Sequence, residues 1–479
     1  MSTVEATYLS ESLRRIVGAD HVLDARSDLA VYECDAFVIE KHRPSLAVFP
    51  RTTEEVAAIV RLCNQLAIPF VPRGAGTSLS GGGLPIGGGV MIVLTRMREI
   101  VEVNLRDRYA VAEPGVVNAH LNKRLAGSGF HYAPDPSSQG ACTIGGNVST
   151  NAGGPHTLKY GVTVNHVLGL EMVTADGEIM QVGGPVETSP GPDLVGAIVG
   201  GEGTLGIVTK IWVRLTRNPE NVRTMLGVFN SVDDATQAIS AIIGAGIIPA
   251  ALEMMDQGIL VAVEEAFHFG FPLDAEAILL IEVDGLEIGL DVQRDQVADI
   301  CRRHGAREVR FAADAKERLQ LWKCRKQAFG AIGRLSPSYC TQDGVVPRSM
   351  LPHILQRIRA IGAKYNIRIV NVFHAGDGNL HPILLFDERH REEIERVLAA
   401  SNEILSECLD CGGSVTGEHG IGLEKISFMN RMFTEGDLDV MGRFRDALNP
   451  GGRLSPGKLL PTAGACGMEQ VHPGRRAAL

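Results

Sequence analysis

Three histidines and a glutamate carry the chemistry this sequence can be expected to do. The segment from Phe373 to Pro382 reads FHAGDGNLHP, and downstream VTGEHGIG supplies Glu418 and His419 between glycines. Asp-Gly between strand-like runs is a hairpin signal. With Asp377 and Gly378 as a two-residue turn, Gly376 pairs with Asn379, Ala375 with Leu380, and His374 with His381. The two imidazoles then share one face of a ladder with Cβ atoms about 5 Å apart, which suits one cation. Two His and a carboxylate around an open position describe a catalytic metal site, with His374, His381 and Glu418 as ligands and His419 as a neighbouring proton acceptor. The same spacing also describes an ordinary hairpin with two exposed histidines.

Three glycine-rich clusters precede this segment: PRGAGTSLSGGG (72–83), PDPSSQGACTIGGNVSTNAGG (134–154) and GGEGTLGIVT (200–209). Glycine lets backbone N–H groups approach phosphate oxygens, and Ser/Thr hydroxyls add donors. Arg73 adds a fixed positive charge suited to an anionic loop or a pyrophosphate. Read singly, each cluster is a set of tight turns; three together point to a bound phosphate group. None fits GxGxxG with an acidic residue about twenty positions on, which disfavours a Rossmann nicotinamide site.

The elements that position these residues follow from pattern. A chain of 479 residues implies two or three domains. Residues 1–40 read as a helical lead-in. LAVFP, TEEVAAIVRLCNQLA and FVPRG form a strand–helix–strand unit with a parallel strand pair. Short β-branched runs fill the region to about Leu215, and the polar stretch TRNPENVR marks a boundary, so that one domain spans 41–217 and a second 218–460. Strands alternate with helices beyond the boundary, giving an α+β cap. Residues 461–479 read as a disordered tail. A net charge of −10 without a Lys/Arg-dense run argues against a nucleic-acid partner. The N-terminus lacks a signal-peptide core, and no apolar run reaches the roughly 18 residues of a membrane span. Nine scattered cysteines suit reduced thiols in the cytoplasm. Cys408 and Cys411 read as structural, and no clustered Cys run of iron–sulfur type is present in the sequence.

Taken together, these motifs resemble the FAD-linked oxidases of the vanillyl-alcohol oxidase / p-cresol methylhydroxylase (PCMH) superfamily, in the branch containing the glycolate oxidase catalytic subunit and D-lactate dehydrogenases. The resemblance runs from about Arg43 to Lys458. It implies an α+β fold: a two-part PCMH-type FAD-binding domain with an α+β, ferredoxin-like cap. It makes Arg73, Gly74, Ala75, Gly76, Thr77 and Ser78 the pyrophosphate loop, and places Pro136, Ser137, Thr143, Gly146, Asn147 and Gly153 around the flavin. Glu202 and Ile207 border the adenine side. Members with covalently attached flavin commonly carry a histidine where Thr77 stands, so the resemblance implies non-covalent FAD. WKCRKQAF resembles the family's arginine segment, making Arg325 the clamp on a substrate carboxylate. Asp343 and Arg348, in TQDGVVPRSMLP, acquire no role. The 2-hydroxyglutarate branch has a lysine near Thr341, and its replacement here favours a small monocarboxylate such as glycolate or D-lactate.

The expected mechanism has the 2-hydroxy acid held by Arg325, its hydroxyl on a divalent cation (Zn, Mn or Fe), and its hydroxyl proton taken by His419. Hydride passes to flavin N5, and Asn379 hydrogen-bonds substrate or flavin. His131, His156 and His166 are expected to be structural. Electrons then leave for a partner subunit, one bearing iron–sulfur clusters by the resemblance, or for a soluble carrier, a quinone or oxygen; peripheral membrane association is compatible with this. The alternatives are a 2-hydroxyglutarate-type dehydrogenase, a non-catalytic flavoprotein subunit, and a flavin-free metal hydrolase.

Overall fold

The computed structural model describes residues 3–186 and 190–461; the segment read as a disordered tail lies, residue 461 excepted, outside the described residues. Helix Thr3–Val17 opens the chain and buries Leu9, Leu13 and Val17, one side of the helix at a spacing of four. The first half then builds two main sheets and a two-stranded pair, Phe130–His131 with Thr216–Arg217. In the smaller main sheet, strands Leu46–Val48 and Phe70–Arg73 flank helix Thr53–Gln65, whose first turn is closed by Thr52 Oγ1 accepting from the Glu55 amide. These strands run parallel but do not pair with each other, contrary to the expectation from the strand–helix–strand pattern. Val90–Val93 inserts between them and pairs in parallel with both. Its residues alternate between two apolar clusters, Val90 and Ile92 on one side, Met91 and Val93 on the other. A strand apolar on both faces belongs in the covered centre of a sheet. The second sheet has five antiparallel strands, ordered Ile100–Asn104, Tyr109–Ala112, Ile207–Arg214, Val167–Val173 and Ile179–Gly183. The first glycine loop leaves strand Phe70–Arg73 and the third enters strand Ile207–Arg214, while the second runs into helix Ile144–Thr150.

The second half is organised by one nine-stranded antiparallel sheet. Its central strands Asn221–Phe229, Ala251–Asp256, Ala277–Gly285 and Ile369–His374 are almost wholly buried. Alternation along them decides which helices they meet. Met225, Leu252, Ile281 and Phe373 face the side covered by helices Val232–Gly244, Leu290–Arg303, Leu351–Tyr365 and Arg391–Asp410. Leu226, Ala251, Leu280 and Val372 face helices Gln257–Phe267 and Ala315–Ile332. By the same alternation Glu253, Glu282 and His374 face the second side, where an apolar core receives three polar side chains. Helices and mostly antiparallel sheets make the chain α+β, as expected. Among the described residues no helix is long and apolar enough to cross a membrane, and all eight cysteines are free.

Candidate active site

Strand Ile369–His374 returns as Asn379–Leu380 through four residues, 375–378, with His374 opposite Asn379. The two-residue Asp377-Gly378 turn is therefore not formed, and His381 is not the direct partner of His374. The Asp377 carboxylate accepts from the Asn379 amide (3.1 Å), an Asx closure that lengthens the turn. In this register His381 lies diagonally across from His374 on the same face, within reach for long side chains. The rings still meet, with centroids 5.1 Å apart and planes nearly perpendicular.

Glu418 completes the group. Its Oε1 lies 3.3 Å from His374 Nε2 and 3.2 Å from His381 Nε2. The far nitrogens are engaged elsewhere: His374 Nδ1 faces Glu253 Oε1 at 2.8 Å, and His381 Nδ1 faces the Gln342 carbonyl at 3.4 Å. Two Nε2 atoms and one carboxylate oxygen converging on a point, each imidazole steadied from behind, is the donor arrangement of a mononuclear cation site. A second convergent set, Asp343, His381 and His419, is the weaker candidate, because His381 Nδ1 is turned to the Gln342 carbonyl.

The charges agree with the geometry. Burial disfavours charge on His374, yet Glu253 and Glu418 outweigh it and hold the imidazole well above its ordinary pKa. Burial likewise opposes ionisation of Glu418, but His374 and His381 keep it well below the usual carboxylate range. A pocket that binds protons this firmly also favours a cation. His419 differs: burial, only partly offset by Asp343, pushes it down to about 4, leaving a neutral imidazole at neutral pH. Its ring stacks on His381 (4.9 Å), and its buried Nδ1 has no partner.

Glu253 belongs to a row of ionic contacts under helix Ala315–Ile332. Arg318, Trp322 and Arg325 stand at i, i+4 and i+7, one face of the helix. Arg318 and Trp322 bond Glu282, and Arg325 donates from Nε to Glu253 Oε2 at 2.6 Å, with Nη2 in ionic contact with the same oxygen. Arg325 is fully buried, and neither Nη1 nor Nη2 makes a hydrogen bond within the protein. Trp322 also stacks on His156 (5.1 Å), which lies between Asp135 and Glu282.

One cavity of about 430 Å³ joins both halves. At one end its walls are Arg73 through Ser78, Pro136, Ser137, Thr143, Gly146, Asn147 and Glu202; at the other they are His381, Glu418 and His419. Backbone dominates the first end: a Cβ on Gly74 would stand 2.5 Å from Thr143 Oγ1. The buried Ser78 hydroxyl and Arg73 Nη1 have no partner in the protein, and both face a space a phosphate-bearing group fits. Arg73 otherwise folds beneath its own loop, donating to the Cys34 carbonyl (2.8 Å).

Several expected residues stand elsewhere. Ile207 is core, packed inward by strand alternation. Gly153 is off the cavity wall, and its role is close approach: a Cβ there would lie 2.8 Å from Glu418 Oε2. Asn379 packs its amide against Gly417 and does not border the cavity. Arg325 and His374 sit one layer behind the wall. Glu202 borders the cavity, but its carboxylate accepts from the Ile421 and Gly422 amides. Not foreseen were Phe329 and Tyr339, which line the cavity, and Glu253, whose signal was an acid in the middle of the otherwise apolar run ALEMM; Lys326, beside Arg325 in sequence, lines the cavity as well.

A backbone-lined cavity that fits a phosphate-bearing cofactor and ends on ionisable side chains suits an FAD-dependent oxidoreductase, and the chain belongs to the FAD-linked oxidase family. Residues 218–459 match the model of FAD linked oxidases, C-terminal domain, and residues 44–183 that of an FAD binding domain. Over 474 residues the chain is 44% identical to the glycolate oxidase subunit GlcD of Escherichia coli (strain K12), covering 98% of this chain and 95% of that one. It is 30% identical over 457 residues to a D-lactate dehydrogenase of Anaerostipes hadrus, covering 93% and 94%. The fold is that of p-cresol methylhydroxylase: TM-score 0.80 at 19% identity, covering 96% of this chain and 97% of that structure.

Proposed function

We propose that the chain oxidises a small D-2-hydroxy acid, glycolate or D-lactate, to the 2-oxo acid, with residues 41–217 binding FAD non-covalently and 218–460 forming the substrate cap. The observation that carries this reading is the convergence of His374, His381 and Glu418 on one point beside the cavity, with a neutral His419 stacked at its edge. Bound FAD supplies the two-electron acceptor, and a divalent cation (Zn, Mn or Fe) held by those three residues supplies a Lewis acid for the substrate hydroxyl. His419 takes the hydroxyl proton; its depressed pKa keeps its acceptor lone pair free at neutral pH. Arg325, expected as the carboxylate clamp, stands behind the cavity wall with its Nε on Glu253, and acts on the site by fixing that acid behind His374. Asn379 steadies the turn that carries His374. Thr77, on the cavity wall where covalent members carry histidine, offers no linkage to the flavin. Relatives named as glycolate oxidase subunits favour onward electron transfer to a partner subunit or carrier.

A specific observation keeps a second substrate class in view. Lys326 lines the cavity, its ammonium 3.9 Å from Asp135 Oδ2, a place for a second carboxylate as in 2-hydroxyglutarate. Anaerobic mixing of the yellow protein with glycolate, D- and L-lactate and D- and L-2-hydroxyglutarate separates these readings. Bleaching of the flavin band by glycolate or D-lactate fits the proposal. Bleaching by D-2-hydroxyglutarate alone selects the alternative, and no bleaching by any of them refutes hydroxy-acid oxidation.

A further inference from the structure

The loop that carries Glu418 and His419 has every amide from residue 417 to 422 satisfied by a side-chain oxygen. Asp343 Oδ2 accepts from Gly417 (2.9 Å), Glu418 (3.1 Å) and His419 (2.8 Å), and from the Thr416 hydroxyl (2.6 Å). Thr416 Oγ1 accepts from Gly420 (2.9 Å). Glu202 takes the remaining two, Ile421 and Gly422, at 2.7 Å each. Three successive amides around one carboxylate make an anion nest, here filled from within the chain. Both acids are buried, and they come from opposite halves: Asp343 follows strand Ser338–Thr341 of the large sheet, and Glu202 precedes strand Ile207–Arg214.

Each acid is committed to its place. Asp343 Oδ1 also lies 3.9 Å from His381 Nδ1, so one carboxylate refers to both the loop and a second proposed ligand. Glu202 sits at φ 50°, in the left-handed region uncommon for a side-chain-bearing residue, and a Cβ on Gly420 would stand 2.7 Å from its Oε1. The loop is thus pressed directly onto the carboxylate. Ser80, from the glycine loop of the first half, adds a bond to the His419 carbonyl (3.0 Å) and accepts from Leu423 (2.8 Å).

We propose that Asp343 and Glu202 are positioning residues that divide the placement of this loop between them. Asp343 sets Glu418 against the two imidazoles and so governs cation affinity. Glu202 sets the loop against the cofactor-binding half and so governs how the substrate end meets the flavin, with little effect on the cation. The proposal rests on reading His374, His381 and Glu418 as the cation site.

The test compares FAD-loaded wild type, Asp343→Asn and Glu202→Gln for Mn²⁺ affinity by calorimetry and for anaerobic flavin reduction by D-lactate or glycolate. Wild type that binds no Mn²⁺, Zn²⁺ or Fe²⁺ refutes the underlying cation reading rather than the division of labour. With wild-type binding in place, Asp343→Asn weakens Mn²⁺ roughly 10- to 100-fold, as expected for removal of an outer support, and keeps its FAD. Glu202→Gln holds Mn²⁺ within about twofold of wild type while flavin reduction slows at least about tenfold. Wild-type Mn²⁺ affinity in Asp343→Asn overturns the proposal. So does a Glu202→Gln protein that reduces its flavin at the wild-type rate, or one that loses FAD and thereby makes Glu202 a cofactor contact. If Asp343→Asn fails to fold, the Glu202→Gln pair of measurements decides.

Discussion

The two ends of the cavity are built on opposite plans. The cofactor end is backbone, glycine and small hydroxyls on loops, with space as its main resource. The histidine end is a set of buried ionisable side chains brought together from the large sheet, a helix and a loop, each holding the next: Arg325 on Glu253, Glu253 on His374, His374 and His381 on Glu418. A cofactor that brings its own reactivity needs shape and amides, whereas a site that must bind a cation and move a proton needs charge held in place. The first end should therefore be sensitive to volume and the second to charge.

The largest expected effect lies at the histidine end. His381→Ala removes a ligand without touching the glycine loops, and should cut hydroxy-acid turnover on the order of 10³-fold or more, as loss of metal-ion catalysis does. Absorbance at the flavin band should be unchanged. Gly74→Val is the converse. Its side chain would enter space 2.5 Å from Thr143 Oγ1, and the purified protein should be colourless yet still bind Mn²⁺ in calorimetry. If Gly74→Val stays yellow, space is not what the first end supplies.

Glu253→Gln sharpens the contrast at smaller scale. The amide keeps the volume but removes the charge behind His374, so cation affinity should fall roughly 10- to 100-fold with FAD content unaltered. Equal cation affinity in the two proteins would confine Glu253 to holding Arg325.

The smallest effect on the reaction lies at the seam between the two halves, where the readout is stability. Burial opposes charge on His156, but Asp135 and Glu282 prevail and raise its pKa to about 10. A raised histidine pKa stabilises the folded state fully below its unfolded value of about 6.5, and that contribution is lost as pH rises through about 10. Wild type should lose up to about 4 kcal/mol between pH 7 and 10, at about 1.4 kcal/mol per pH unit. His156→Gln should show a flatter profile over that window; parallel profiles would place the pH dependence elsewhere.

The same contrast explains what could be read from the sequence. A loop that must approach a cofactor closely writes itself into composition, so the glycine clusters were legible and most of their assigned residues do border the cavity. His374, His381, Glu418 and His419 were legible because two short motifs carry them. Their supports were not. Glu253 and Arg325 are 72 positions apart, and only strand register and helix phase bring them together. Register itself misled: the Asx closure at Asp377 lengthened the turn and moved His374 from facing His381 to facing Asn379. Val90–Val93 slipped between two strands that pattern alone would pair, because a short apolar run does not announce its neighbours. Ile207 and Gly153 were read as cofactor contacts from motif membership, and strand alternation and close packing on Glu418 put them elsewhere.

The central claim is that the three convergent donors hold a cation on which hydroxy-acid oxidation depends. Its most direct test is anaerobic flavin reduction by glycolate and D-lactate before chelation, after chelation, and after re-addition of Zn²⁺ or Mn²⁺, with FAD content measured at each stage. Bleaching should be rapid at first, absent after chelation with FAD still bound, and restored on re-addition. Undiminished bleaching by a metal-free, FAD-loaded protein would contradict the claim.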